Sequence, residues 1–91
     1  MIVIKRDGRE VNFEKEKIVN AIEKAMQASI NKKNIKLANK IAGEIEQEFL
    51  EKKLQKVKIS EIEDKVYTKL IKYHNSMVAK TYEGYRAIRE Y

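Results

Sequence analysis

Five apolar residues, Ile18, Ala21, Ile22, Ala25 and Met26, fall at i, i+3, i+4, i+7 and i+8, the spacing of a helix with one buried stripe. After the polar stretch from Asn31 to Asn34, Ile35, Ala38, Ile41, Ala42, Ile45 and Phe49 repeat that pattern over nearly four turns. The spacing predicts a first helix from Glu14 to about Ser29 and a second that carries the later stripe. Whatever else the chain contains must be built around these two faces.

Ahead of them the period is different. Ile2 to Arg6 and Arg9 to Phe13 are short β-prone runs on either side of Asp7-Gly8, a pair suited to a two-residue type I′ hairpin turn. In that register Ile4 opposes Val11 and Ile2 opposes Phe13 on one face, while Val3, Lys5, Glu10 and Asn12 share the other. Arg6 and Arg9 would then face each other, an unfavourable pairing that solvent exposure or a shared anion would relieve.

Beyond the second helix, Val57 and Ile59 alternate with Lys56 and Lys58, as in a short strand that could extend the hairpin to three strands. Ser60 and Glu63 have the spacing of a capping box, predicting a third helix from Ser60 to near His74-Asn75 with Ile62, Val66, Tyr67 and Leu70 turned inward. Ser76 is placed to cap a fourth helix carrying Ala79, Tyr82, Tyr85 or Arg86, and Arg89. The fold class expected is α+β, a four-helix domain capped by a small β-hairpin or three-stranded sheet, with residues 1–91 forming one domain and one core.

Composition narrows the chemistry. The 91 residues contain no cysteine and a single histidine, His74, which excludes thiolate zinc sites, iron–sulfur clusters, disulfides and a cysteine nucleophile within them. No apolar run approaches the roughly 18 residues that span a bilayer and the start lacks a secretory pattern, so no membrane partner and a cytoplasmic location are expected. No paired carboxylates, nucleophile and base, or Walker phosphate loop stands at a recognisable spacing; the expectation is a binding domain without catalytic residues. The net charge of +6 favours anionic partners. Lys32, Lys33, Lys36 and Lys40, and Lys52, Lys53, Lys56 and Lys58, read first as solvated faces.

Val3-Ile4-Lys5-Arg6-Asp7-Gly8, then Phe13, Lys17-Ile18 with Ala21-Ile22, Ile59-Ser60-Glu61-Ile62, and Val78-Ala79-Lys80 with Tyr82 and Tyr85-Arg86, together resemble the ATP-cone domain. That family supplies the regulatory N-terminal module of many ribonucleotide reductases and also occurs in a bacterial repressor of reductase genes. The end of the chain looks most like the anaerobic, glycyl-radical class. The resemblance implies a pocket for ATP or dATP between hairpin and helices, whose occupancy changes how a reductase catalytic domain or subunit associates, and a possible nucleotide-dependent homo-oligomer.

Carried over by position, Lys5, Arg6 and Arg89 would meet the triphosphate with Arg86 as a helper, since guanidinium forks pair well with phosphate oxygens. Val3, Ile18 and Ile62 would enclose the base, and Glu10, Asn12 and Lys17 would bond base or ribose edges. Glu63 stands where relatives carry a residue tied to telling ATP from dATP, but it is also the expected capping partner of Ser60. Mg²⁺ is the expected companion of the triphosphate, although no carboxylate cluster identifies a protein ligand for it. The alternative is a small basic helical domain that binds nucleic acid through its lysine clusters; a structural oligomerisation module is a third reading.

Overall fold

A computed structural model describes residues 1–85; Arg86 and Arg89 lie outside the described residues. The element order is β1 (Ile2–Ile4), β2 (Glu10–Asn12), α1 (Lys15–Ile30), α2 (Ile35–Glu51), β3 (Lys56–Lys58), α3 (Ile59–Lys72) and α4 (Ser76–Gly84). The four expected helices and the third strand are all present, in an α+β arrangement.

Strand β1 is the centre of the sheet, antiparallel to β2 and parallel to β3. Its register differs from the expected one by a single residue: Val3 opposes Val11 and Ile4 opposes Glu10. The connection has three residues rather than two. Gly8 N–H donates to the Lys5 carbonyl at 3.0 Å and Lys5 N–H to the Arg9 carbonyl at 2.8 Å, with Gly8 at φ 88°. This is a turn followed by a glycine bulge, and the left-handed glycine is what lets the strand re-pair.

The slip exchanges the faces. Val3, Val11 and Val57 share the inner side, with Val3 and Val57 fully enclosed. Ile2, Ile4, Glu10, Asn12, Lys56 and Lys58 occupy the outer side, where Lys56 Nζ reaches Glu10 Oε2 at 2.9 Å across the central strand. Arg6 and Arg9 are not opposed; Arg9 instead turns onto Asp7, Nε to Oδ2 at 2.6 Å.

Helix α1 packs on α2 and α4, and α3 packs on the same two helices, so the four form a ring with the sheet across one end. The expected stripes supply the core: Ile18, Ile22, Ala25 and Met26 from α1, joined by Val19, and Ala38, Ile41, Ala42, Ile45 and Phe49 from α2. Ala21 is only half-buried and Ile35 is 58% exposed at its helix start. From α3 and α4 come Ile62, Val66, Leu70, Val78, Ala79 and Tyr82. Phe13 meets Phe49 edge to face, ring centres 6.5 Å apart, fixing the end of β2 against α2.

Helix α3 starts earlier than the serine predicts. Lys58 is its N-cap, and the Glu61 carboxylate accepts the Lys58 N–H at 3.2 Å. Lysine has no acceptor to return, so only the carboxylate half of a capping box exists here. Ser60 lies inside the first turn, and the expected Ser60–Glu63 box gives way to Lys58 and Glu61. The cause is the strand: β3 pairing runs to Lys58, and the helix must begin at once for Ile59 and Ile62 to be buried. Likewise Asn75, not Ser76, occupies the N-cap of α4.

Candidate functional site

The hairpin loop and the start of α3 meet at one ion pair. Arg6 Nη2 donates to both oxygens of Glu63, at 2.8 and 2.9 Å, between residues 57 apart in sequence. Glu63 is 1% exposed and Arg6 39%. Glu63 lies in the interior and takes a charge partner from the hairpin loop. A buried carboxylate needs such a partner, because desolvation of an unpaired charge costs several kcal/mol.

Val3, Ile18 and Ile62, the expected walls for a base, belong to the domain's core cluster, exposed by 0, 2 and 1%. They are closed into the core rather than lining an open cleft. Lys5 is half-buried at the end of β1, on the inner side by strand alternation. Lys17 is exposed in the first turn of α1, Nζ 3.1 Å from Glu14 Oε2, and the N-cap Glu14 makes no side-chain cap hydrogen bond. Thus Lys5, Arg6 and Glu63 stand at the loop end of the hairpin, where α3 begins, Val3, Ile18 and Ile62 lie in the shared core, and Lys17 belongs to the start of α1, at the Met1 end of the sheet. Glu10 and Asn12 do not join them; both point from the outer face of the sheet.

Each hairpin guanidinium in the described residues rests on a carboxylate: Arg6 on Glu63, and Arg9 on Asp7. The Asp7 carboxyl is held below its usual range by the Arg9 backbone N–H first and the Arg9 side chain second. Both cations are thus already engaged within the domain.

A second polar cluster, between α2 and α3, was not anticipated. Lys69, 9% exposed, donates to Glu44 Oε1 at 3.1 Å and Glu48 Oε2 at 2.5 Å; Lys65 reaches Glu48 Oε1 at 2.7 Å and the Tyr73 hydroxyl donates to Glu44 Oε2 at 2.6 Å. The hydrogen bond from Lys65, then that from Lys69, lowers Glu48 to about 2 against its partial burial. Burial pulls Lys69 down, but the Glu48 and Glu44 carboxylates outweigh it and hold it raised. An open cavity of about 270 Å³ borders this cluster, lined by Glu48, Asp64, Lys65, Thr68, Lys69 and Lys72. It includes none of the residues expected to bind nucleotide, and its carboxylates make it a poor seat for phosphate.

Among the described residues no group of three or more histidine, cysteine, aspartate or glutamate side chains is arranged to hold a metal ion, and no helix is long and apolar enough to cross a membrane.

With this geometry in view, the comparison with known families is direct: the model of the ATP cone domain matches residues 1–91, and the chain belongs to that family. Such domains are nucleotide-binding regulatory modules of ribonucleotide reductases and are not themselves catalytic. The chain is similar to the anaerobic ribonucleoside-triphosphate reductase of Haemophilus influenzae (strain ATCC 51907 / DSM 11121 / KW20 / Rd), 34% identical over 88 residues. The match covers 97% of this chain and 12% of that reductase.

Proposed function

We propose that this chain binds ATP or dATP between the hairpin and the helices, with the phosphates where the hairpin loop meets the start of α3, and that occupancy regulates a ribonucleotide reductase. The observation that carries the reading is the Arg6–Glu63 contact, which brings the cationic loop of the hairpin onto the helix that follows β3. Arg6 and Lys5 would hold phosphate oxygens, by charge-assisted hydrogen bonds. The first turn of α1, with its positive dipole end, stands at the other end of the hairpin, where Phe13 N–H bonds to the Met1 carbonyl. Lys17 adds a cation there. Val3, Ile18 and Ile62 would form the floor under the base, and the tightly closed core requires that a base lie over them or that the hairpin shift to admit it. Arg86 and Arg89, at the end of the chain, are proposed to complete the phosphate seat.

Where Mg²⁺ accompanies the triphosphate, the phosphates themselves would be its main ligands. Regulation follows if two assembly states of the reductase, including a nucleotide-dependent homo-oligomer, present this site differently. The ligand then favours the state it binds more tightly. A cytoplasmic setting goes with that role.

Isothermal titration of the chain with ATP and dATP tests the reading. Saturable micromolar binding is expected, weakened strongly by replacing Lys5 and Arg6 with alanine; no heat at millimolar nucleotide contradicts it.

One observation favours the nucleic-acid alternative. Residues 24–43 and 65–82 carry nine lysines and no aspartate or glutamate, and Lys24, Lys32, Lys36 and Lys80 are exposed. Binding through them would fall steeply with salt and be indifferent to free ATP.

A further inference from the structure

The Arg6–Glu63 pair is asymmetric. Its anion is 1% exposed on α3 and cannot leave without unpacking the helix, whereas its cation is 39% exposed on a hairpin loop. One nitrogen, Nη2, serves both carboxylate oxygens, so both of its hydrogens are committed to α3. Arg6 cannot give those same hydrogens to phosphate. We infer that Glu63 is a latch that holds Arg6 back from the ligand, so that a polyphosphate must win the guanidinium from a buried carboxylate before it is fully bound. The inference rests on the nucleotide-binding reading above.

A half-exposed ion pair is modest in strength, and a triphosphate carries several negative charges, so the ligand prevails while the pair subtracts from its affinity. The apparent affinity is the intrinsic one reduced by the fraction of molecules in which Arg6 is released. Glu63 then sets how much nucleotide is needed to load the domain. It acts on the ligand through Arg6 and is a positioning residue. A carboxylate that bonded the ribose or base directly would have the opposite signature, because its removal would weaken binding.

The test is calorimetric titration of ATP into the wild-type chain, Glu63→Gln and Glu63→Asp, with both Glu63 changes repeated in an Arg6→Ala background. The latch predicts a Kd about tenfold lower for Glu63→Gln, an intermediate gain for Glu63→Asp, and a gain that collapses to within about twofold once Arg6 is absent. Circular dichroism verifies folding, and the shorter carboxylate of Glu63→Asp keeps the test intact if the amide variant unfolds. Unchanged or weaker binding by the Glu63 variants overturns the latch. So does a gain that persists without Arg6, which would mean simple repulsion between carboxylate and phosphate. Binding by the wild type without the predicted gain sinks the latch alone, whereas no binding by any variant sinks the nucleotide reading as well.

Discussion

Arg6 and Glu63 join the hairpin loop to the third helix through one nitrogen and two carboxylate oxygens, at 2.8 and 2.9 Å. Arg6→Ala leaves the carboxylate buried without this cation and should destabilise the fold by about 1–3 kcal/mol, reduced from the fully buried case by the exposure of Arg6. Glu63→Gln keeps the shape and removes the charge, so it should cost less. Urea unfolding of both variants measures the difference; equal stability for Arg6→Ala and wild type would show that the contact does not hold hairpin to helix.

The hairpin bulge depends on Gly8, whose φ of 88° disfavours any side chain even though a Cβ there would meet nothing within 4 Å. Gly8→Ala should therefore cost about 1 kcal/mol through backbone strain alone. A shift in the urea midpoint without a change in its slope is the expected sign. A neutral result would mean that the loop is free to adopt another turn.

Three described helices end on left-handed residues that are not glycine: Asn31, at φ 53°, closes α1, and the other two follow α2 and α3. Lys53, at φ 54°, and His74, at φ 62°, each follow the final turn, with Leu54 N–H bonding to Phe49 and Asn75 N–H to Leu70. These are Schellman ends. Replacing either residue with glycine relieves the strain and should stabilise the domain by about 0.5–1 kcal/mol, after allowing for the greater freedom of the unfolded chain. Thermal melts of Lys53→Gly and His74→Gly provide the check.

The cluster between α2 and α3 predicts an acid sensitivity. Glu48 is held at about 2 by Lys65 and Lys69, and Glu44 is lowered, first by the Tyr73 hydroxyl. A carboxylate with a depressed folded pKa contributes stability that is complete above its unfolded value, near 4.5, and is lost as pH falls toward 2. Because the Glu48 side chain is 37% exposed, screening reduces its share to on the order of 1 kcal/mol. Denaturant unfolding at pH 6 and near pH 3 should show this loss (about one unit on either side of 4.5 suffices), and Lys69→Met should shrink it. Raised Lys69 and Tyr73 work in the other direction, their stabilisation being lost at strongly alkaline pH.

The helical part of the fold was legible because Ile18, Ile22, Ala25 and Met26, and Ala38 through Phe49, keep a 3.6-residue period that nothing else in the chain contradicts. The hairpin register was not, because Ile2, Val3 and Ile4 are apolar in succession and give no alternation to choose a face. Asp7-Gly8 fits a two-residue turn as well as a three-residue loop; only burial of Val3 decides. At the start of α3, two residues with a glutamate three positions on compete, and strand pairing selects Lys58 with Glu61. The buried Lys69 cluster did carry a signal in the sequence: Glu44 and Glu48 lie four apart, as do Lys65, Lys69 and Tyr73, which places facing charges on two adjacent helices.

The central claim is that a nucleotide binds between the hairpin and the helices, its polyphosphate at the junction of the hairpin loop with α3. Amide chemical-shift mapping of the isotope-labelled chain during ATP titration tests it most directly. The account predicts saturable shifts at Lys5, Arg6, Gly8, Lys17 and Glu63, with Lys32, Lys36 and Lys40 unmoved. Shifts confined to those distant lysines, or none at all, would contradict it.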